Sequence, residues 1–191
     1  GPVRLRARVA KRSRMTSENP YDHAVYHEVF LREARKLVTA YNFSNDVEVS
    51  VLAQGENTIL SVDDRGEDKQ YVLRINSHQL SYHQPEMIRS EVAWLRALRH
   101  DSDIVAPDPV PAKDGSFVQT LGAPELDQPR CAVMMTFLTG EEPDPDGLLE
   151  GFDRLGEIAA RMHRHAKSWA RPADFIRPTW AVRAILDDEY K

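Results

Sequence analysis

A single cysteine, Cys131, in 191 residues excludes an internal disulfide framework and fits a reducing compartment such as the cytoplasm. No apolar run approaches the roughly 20 residues that a membrane-spanning helix needs, so no membrane is expected as a partner. Glycine is sparse, nine in all, and neither G-x-x-x-x-G-K nor G-x-G-x-x-G occurs. Two common phosphate-binding designs are thereby removed. Acidic residues are missing from residues 1–14, where Arg4, Arg6, Arg8, Lys11, Arg12 and Arg14 sum to +6. The whole chain carries −5, which leaves −11 on residues 15–191. A body this acidic makes nucleic acid a poor partner.

What is present is ordinary for a folded protein: 41% hydrophobic and 29% charged residues, too apolar for disorder. Residues 1–20 read as a basic tail outside the fold. Gly1-Pro2 has the look of a protease remnant, and Met15 is a second candidate start. An arginine-rich, acid-free leader also fits a transit peptide or a nucleic-acid arm. Residues 21–139 read as one α+β lobe and residues 140–191 as a linker followed by the start of a second, helical lobe.

Asn19-Pro20 marks entry to a helix over 21–42, with Val25, Val29, Leu37 and Tyr41 near helical spacing. Residues 47–53 alternate apolar with polar, 57–62 form a second strand, Asp63–Gly66 turn, and 70–75 form a third. The spacing predicts an antiparallel meander. A helix follows over 85–98, with Pro85 in the first turn, where a missing N–H costs nothing. Pro107, Pro109 and Pro111 force an extended connector. Residues 116–121 and 130–138 complete a predicted five-stranded antiparallel sheet with the 85–98 helix covering one face. After Gly140, EEPDPDG is an acidic linker. Leu155, Ile158, Ala159, Met162, Ala166 and Trp169 then mark one stripe of a long helix that ends by Arg171-Pro172. Residues 173–191 carry no pattern.

Four features point to chemistry. Glu91 lies inside the apolar arc of Ile88, Val92, Leu95 and Leu98, where a carboxylate must reach solvent or find a cation. Arg74 shares a strand face with Val72, opposite Tyr71, Leu73 and Ile75, and can be that cation. Taken singly, each is as well explained by a half-exposed helix edge or a solvent-facing arginine. Gln54-Gly55-Glu56-Asn57-Thr58 forms a hairpin tip whose glycine lets backbone N–H groups approach a phosphate, although most hairpin glycines are only turns. Residues 132–140, AVMMTFLTG, run from a strand into a segment joining two lobes. Backbone there can meet a planar base, against the plainer reading of a buried strand.

These features occur in a telling order: the Gly55 hairpin, Tyr71-Val72-Leu73-Arg74-Ile75, Arg89-Ser90-Glu91-Val92-Ala93-Trp94-Leu95, and the exit at Leu138-Thr139-Gly140. Together they resemble the amino-terminal lobe of the aminoglycoside phosphotransferase and choline kinase-like family, a branch of the protein-kinase-like fold. Leu155-Gly156-Glu157-Ile158-Ala159-Ala160-Arg161-Met162-His163 is similar to the first large helix of that family's second lobe. The resemblance covers residues 45–180 and implies ATP and Mg2+ as cofactors and a small hydroxyl-bearing molecule as acceptor. It places Arg74 at the nucleotide phosphates with Glu91 as its ion-pair partner. The hairpin of Gly55, Glu56, Asn57 and Thr58 would cover the phosphates. Met135 would guard the back of the pocket, Val72 is counted among the ATP-binding residues, and the backbones of Thr136 and Leu138 would bond the adenine. Arginine at 74 departs from the commoner lysine and offers a planar fork instead of a point charge.

The family's catalytic loop, H-x-D-x-x-x-x-N, matches neither His100-Asp101-Ser102-Asp103 nor Met162-His163-Arg164-His165. No catalytic residue is therefore assigned, and the 191 residues alone are expected to bind ATP weakly and transfer nothing. Asp187-Asp188 reads as a solvated helix end. His163 and His165 point to different sides of a helix, and His23 and His27 lack a third ligand, so no metal site is assigned. The rival reading is a non-catalytic nucleotide-binding or protein-interaction module on a kinase-like lobe; a ligand-free structural fragment is a third. An uncovered apolar face at the lobe interface would favour self-association.

Overall fold

The computed structural model describes residues 23–77, 84–140 and 148–179. The basic tail, the linker 141–147 and Asp187-Asp188 lie outside the described residues. In chain order the elements are α1 (His23–Leu37) with a 3-10 turn (Val38–Ala40), β1 (Val47–Gln54), β2 (Thr58–Asp64) and β3 (Lys69–Ile75). They continue as α2 (Pro85–Asp101), β4 (Val118–Leu121), β5 (Arg130–Thr136) and α3 (Leu148–Ser168).

The five strands form one sheet in the order β1-β2-β3-β5-β4, every pairing antiparallel. The meander thus closes on β5, which inserts between β3 and β4. Register fixes the two faces, because strand side chains alternate. Leu73 pairs with Leu60 and Met134, and these three share a core with Val29, Phe30, Ala34 and Tyr41. The residues of α1 thus cover that face. Arg74 pairs with Ile59 and Val133, and Val72 with Ser61 and Met135, on the opposite face. There Ile88 and Val92 of α2 pack with Val133 and Met135. The single covering helix expected from the sequence has a counterpart: α1 lies on the other side. Its register could be read from the sequence, but its side of the sheet could not.

The β2–β3 turn shows how tightly one corner is specified. Asp64 is 1% exposed, and its carboxylate accepts the Ser44 backbone N–H at 3.0 Å and the Ser44 hydroxyl. A Cβ at Gly66 would run into the Ser44 side chain. Only glycine leaves room for this clasp. Asp68 takes the left-handed conformation in the same turn (φ 51°), which aspartate tolerates better than most residues.

Helix α2 runs three residues beyond the expected Leu98, to Asp101, where the Ser102 hydroxyl and N–H both close onto the Leu98 carbonyl. The extension brings Asp101 to α3. Trp94 Nε1 lies 3.2 Å from His165 Nδ1, and His165 Nε2 lies 3.1 Å from Asp101. Indole N–H only donates, so Nδ1 accepts and the ring proton sits on Nε2, facing the carboxylate. His165 is nearly enclosed rather than a surface histidine. Arg161 of α3 adds an ion pair with Asp103.

Candidate functional site

The site is assembled on the α2 face of the sheet. Arg74 stands next to the end of β3 and Glu91 within α2, and Arg74 Nη1 meets Glu91 Oε1 at 2.6 Å. Both side chains are largely covered, 17% and 23% exposed, so the pair works in a medium where charge is expensive to leave unmatched. The remaining donors of the arginine matter more. Nε and Nη2 are both buried and have no hydrogen-bond partner among the described residues. Two unmet guanidinium donors are a costly arrangement for a protein to keep without a ligand, of order 1–3 kcal/mol per lost bond. They suit a planar or tetrahedral oxyanion, which a guanidinium fork engages through two parallel bonds.

The hairpin between β1 and β2 turns at the end of the sheet next to Arg74, since Thr58 pairs with Ile75 and Ile59 with Arg74. Its tip is open at Gly55, where an added Cβ would meet nothing within 4 Å, and Gly55 N–H closes the turn onto the Asn57 carbonyl at 3.1 Å. An irregularity between Val51 and Ala53 interrupts the ladder before the tip and leaves Leu52 exposed. Such bulges bend a strand, and this one re-aims the hairpin. Asn57 ties the tip to the end of β3, accepting Ser77 N–H at 3.3 Å and Asn76 Nδ2 at 3.4 Å. Glu56 is exposed at the tip. Thr58 is buried on the α1 face as the register partner of Ile75, so its side chain does not join the others. Ile59, cross-strand from Arg74, takes that place and was overlooked in the sequence, although alternation from Arg74 identifies it.

At the far end Val72 and Met135 are register partners on the site's face. Beyond Met135 the backbone is partly committed. Thr136 N–H goes to the Asp108 carbonyl at 2.9 Å, Thr136 Oγ1 accepts Asp108 N–H at 2.9 Å, and Phe137 N–H goes to Gln70 at 3.2 Å. What Thr136 can offer a base is therefore its carbonyl rather than its N–H. Leu138 lies past the strand and is 43% exposed.

A third charged residue, unforeseen in the sequence, stands beside the pair. Arg177 Nη1 lies 3.6 Å from Glu91 Oε2 and donates to the Met87 carbonyl at 3.3 Å. It sits in the stretch after α3 that carries no periodicity, so no pattern could have marked it.

A largely buried arginine paired with a helix glutamate, with two donors left over, has the chemistry to engage an oxyanion. The model of the phosphotransferase enzyme family matches residues 50–191. The chain belongs to this family. Among solved structures, the chain resembles a microcompartment-associated aminopropanol kinase at 37% identity and TM-score 0.68, over 83% of this chain and 47% of that one. An amicoumacin kinase solved with AMP-PNP, Ca2+ and Ami shares the fold at 22% identity and TM-score 0.64, over 83% of this chain and 46% of its own. The chain thus spans less than half the length of either. No curated protein matches it. The family and these kinases agree with the resemblance drawn from the sequence, and with a mixed α+β lobe leading into helices. Among the described residues no helix is long and apolar enough to cross a membrane.

Proposed function

We propose that this phosphotransferase chain forms the nucleotide-binding half of an ATP-dependent kinase acting on a small-molecule hydroxyl. The observation that carries the proposal is Arg74, held by Glu91 at 2.6 Å with Nε and Nη2 buried and unmet. Those two donors fit phosphate oxygens of ATP, which when bound supplies the phosphoryl group to be transferred. Gly55 and its neighbours would close over the phosphates, Val72, Ile59 and Met135 would enclose the base, and the Thr136 carbonyl with Leu138 N–H would orient it. The 37% identity to an aminopropanol kinase supports an amino alcohol as acceptor.

Among the described residues no group of three or more His, Cys, Asp or Glu can hold an ion, and no metal-dependent step is assigned to them. The sequence also holds no loop of the H-x-D-x-x-x-x-N form to take the acceptor's proton. The expected behaviour of the 191-residue chain is therefore binding without turnover. Without metal to neutralise the triphosphate, affinity should fall in the high-micromolar to millimolar range, about −4 to −5 kcal/mol. Titration with AMP-PNP beside a phosphate-transfer assay over amino alcohols, sugars and aminoglycosides tests both halves. No binding at millimolar nucleotide sinks the proposal. Robust turnover by the 191-residue chain contradicts the assignment of the catalytic groups elsewhere.

A further inference from the structure

The segment following α3 is not a free end of the second lobe; it returns to α2. Ile176 N–H bonds the Ser90 hydroxyl at 2.9 Å, and that hydroxyl in turn bonds the Glu86 carbonyl at 2.9 Å. Phe175 closes a turn onto the Pro172 carbonyl at 3.0 Å and meets the Trp169 ring edge-on at 5.2 Å. These anchors carry Arg177 to the exposed side of Glu91. The carboxylate is then shared: Oε1 belongs to Arg74 and Oε2 faces Arg177.

Charge bookkeeping gives this sharing a consequence. Arg74 and Glu91 alone are a neutral pair, and a neutral pair attracts a distant anion weakly. With Arg177 the triad carries +1. Among the nearby ions Glu86 and Arg89 pair with each other at 2.8 Å, which leaves the opposing charge of Asp174. Asp174 lines a small cleft with that pair, which Glu91 does not line. Arg177 also has a mechanical effect. When phosphate draws on Arg74, the second guanidinium keeps Glu91 matched, so that the carboxylate does not have to follow.

We propose that Arg177 is a positioning and charge-supplying residue of the nucleotide site, giving the Arg74–Glu91 pair the net positive charge that recruits a polyphosphate. The inference rests on the nucleotide reading above and assigns part of that site to the segment after α3.

NMR titration of the chain with AMP-PNP, which reads millimolar affinities, tests it in the unaltered protein, Arg177→Gln and Arg177→Lys, at low and at moderate salt. One unit charge several ångströms from a phosphate, at the effective dielectric of a protein surface, predicts roughly tenfold weaker binding for Arg177→Gln. Its binding should also depend less on salt, because the lost attraction is the screened one. Arg177→Lys should recover most of the affinity and the salt dependence. Arg154→Gln, an equal charge loss on the exposed face of α3, serves as the control and should bind like the unaltered chain. Equal binding by Arg177→Gln overturns the inference, as does a loss that Lys fails to rescue or that leaves the salt dependence intact. Failure of the unaltered chain to bind removes the nucleotide reading and the inference with it.

Discussion

At the scale of single residues, the molecule keeps unmet polar atoms in two settings with opposite meanings. Arg74 keeps two buried donors unmet on the face of the sheet covered by α2. Tyr41 keeps its hydroxyl unmet inside the apolar core, 1% exposed beneath α1. Burial, with Asp114 adding a little, pushes the Tyr41 hydroxyl up to about 12, so it is neutral at every pH of interest. Its ring stacks with Phe43 at 5.4 Å, and nothing in the fold uses the oxygen. Removing a polar group that is already unsatisfied costs no hydrogen bond. Tyr41→Phe should therefore melt at the same temperature or higher, gaining up to about 1 kcal/mol by denaturant titration. A loss of more than that amount would mean that the hydroxyl has a partner. Arg74→Gln should behave differently: it breaks the ion pair with Glu91 and lowers the melting temperature, and it clearly reduces nucleotide affinity.

At the scale of elements, what the sequence made legible was periodicity, and what it hid was everything set by the partner surface. β1, β2 and β3 were readable because alternation and turn residues are local. Glu91 and Arg74 were readable because each broke its own element's pattern. The side of the sheet taken by α1 depends on which face Leu73 and Met134 present, a property of pairing rather than of the helix. Thr58 was assigned to the site from its nearness to Gly55, and register with Ile75 turned it away. His165 was set aside in the sequence only as a metal ligand, and its contact with Asp101 became visible once α2 proved long enough to reach it. The Ser44–Asp64 clasp was hidden for the same reason, since it joins residues twenty apart across a turn. It makes a pH prediction. The Ser44 hydroxyl, with the Ser44 and Glu67 backbone N–H groups adding to it, holds the Asp64 carboxylate below its ordinary range. A carboxyl depressed on folding stabilises the protein above its unfolded value, about 3.9, and that contribution fades as pH falls through the lower folded value. Thermal melts of the unaltered chain and Asp64→Asn should differ at pH 7 and converge in acid, below about pH 4. A constant difference down to strong acid would show that the ionised form is not what matters.

At the scale of the whole molecule, the sheet lobe and α3 are joined through α2. Trp94 and Asp101 hold His165, Asp103 holds Arg161, and Ser90 and Met87 receive the segment that ends in Arg177. The helix that bears Glu91 is thus fastened along its length to the part of the chain beyond the linker. The cation–glutamate pair inherits its position from both lobes, which is how the segment after α3 comes to lie beside it. Phe152, Leu155 and Ile158 leave an apolar stripe exposed on α3.

The central claim is that Arg74 and Glu91 act together on a nucleotide, and a double-mutant cycle reads it most directly. AMP-PNP affinity is measured for the unaltered chain, Arg74→Gln, Glu91→Gln and the double variant, with folding checked by the amide spectrum of each. Residues joined by a charged hydrogen bond couple by about 0.5–3 kcal/mol, so the two single losses should not add. The account predicts that Arg74→Gln weakens binding at least tenfold and that Glu91→Gln then costs little more in its presence. Losses that simply add, or an Arg74→Gln chain that binds as well as the original, would contradict it.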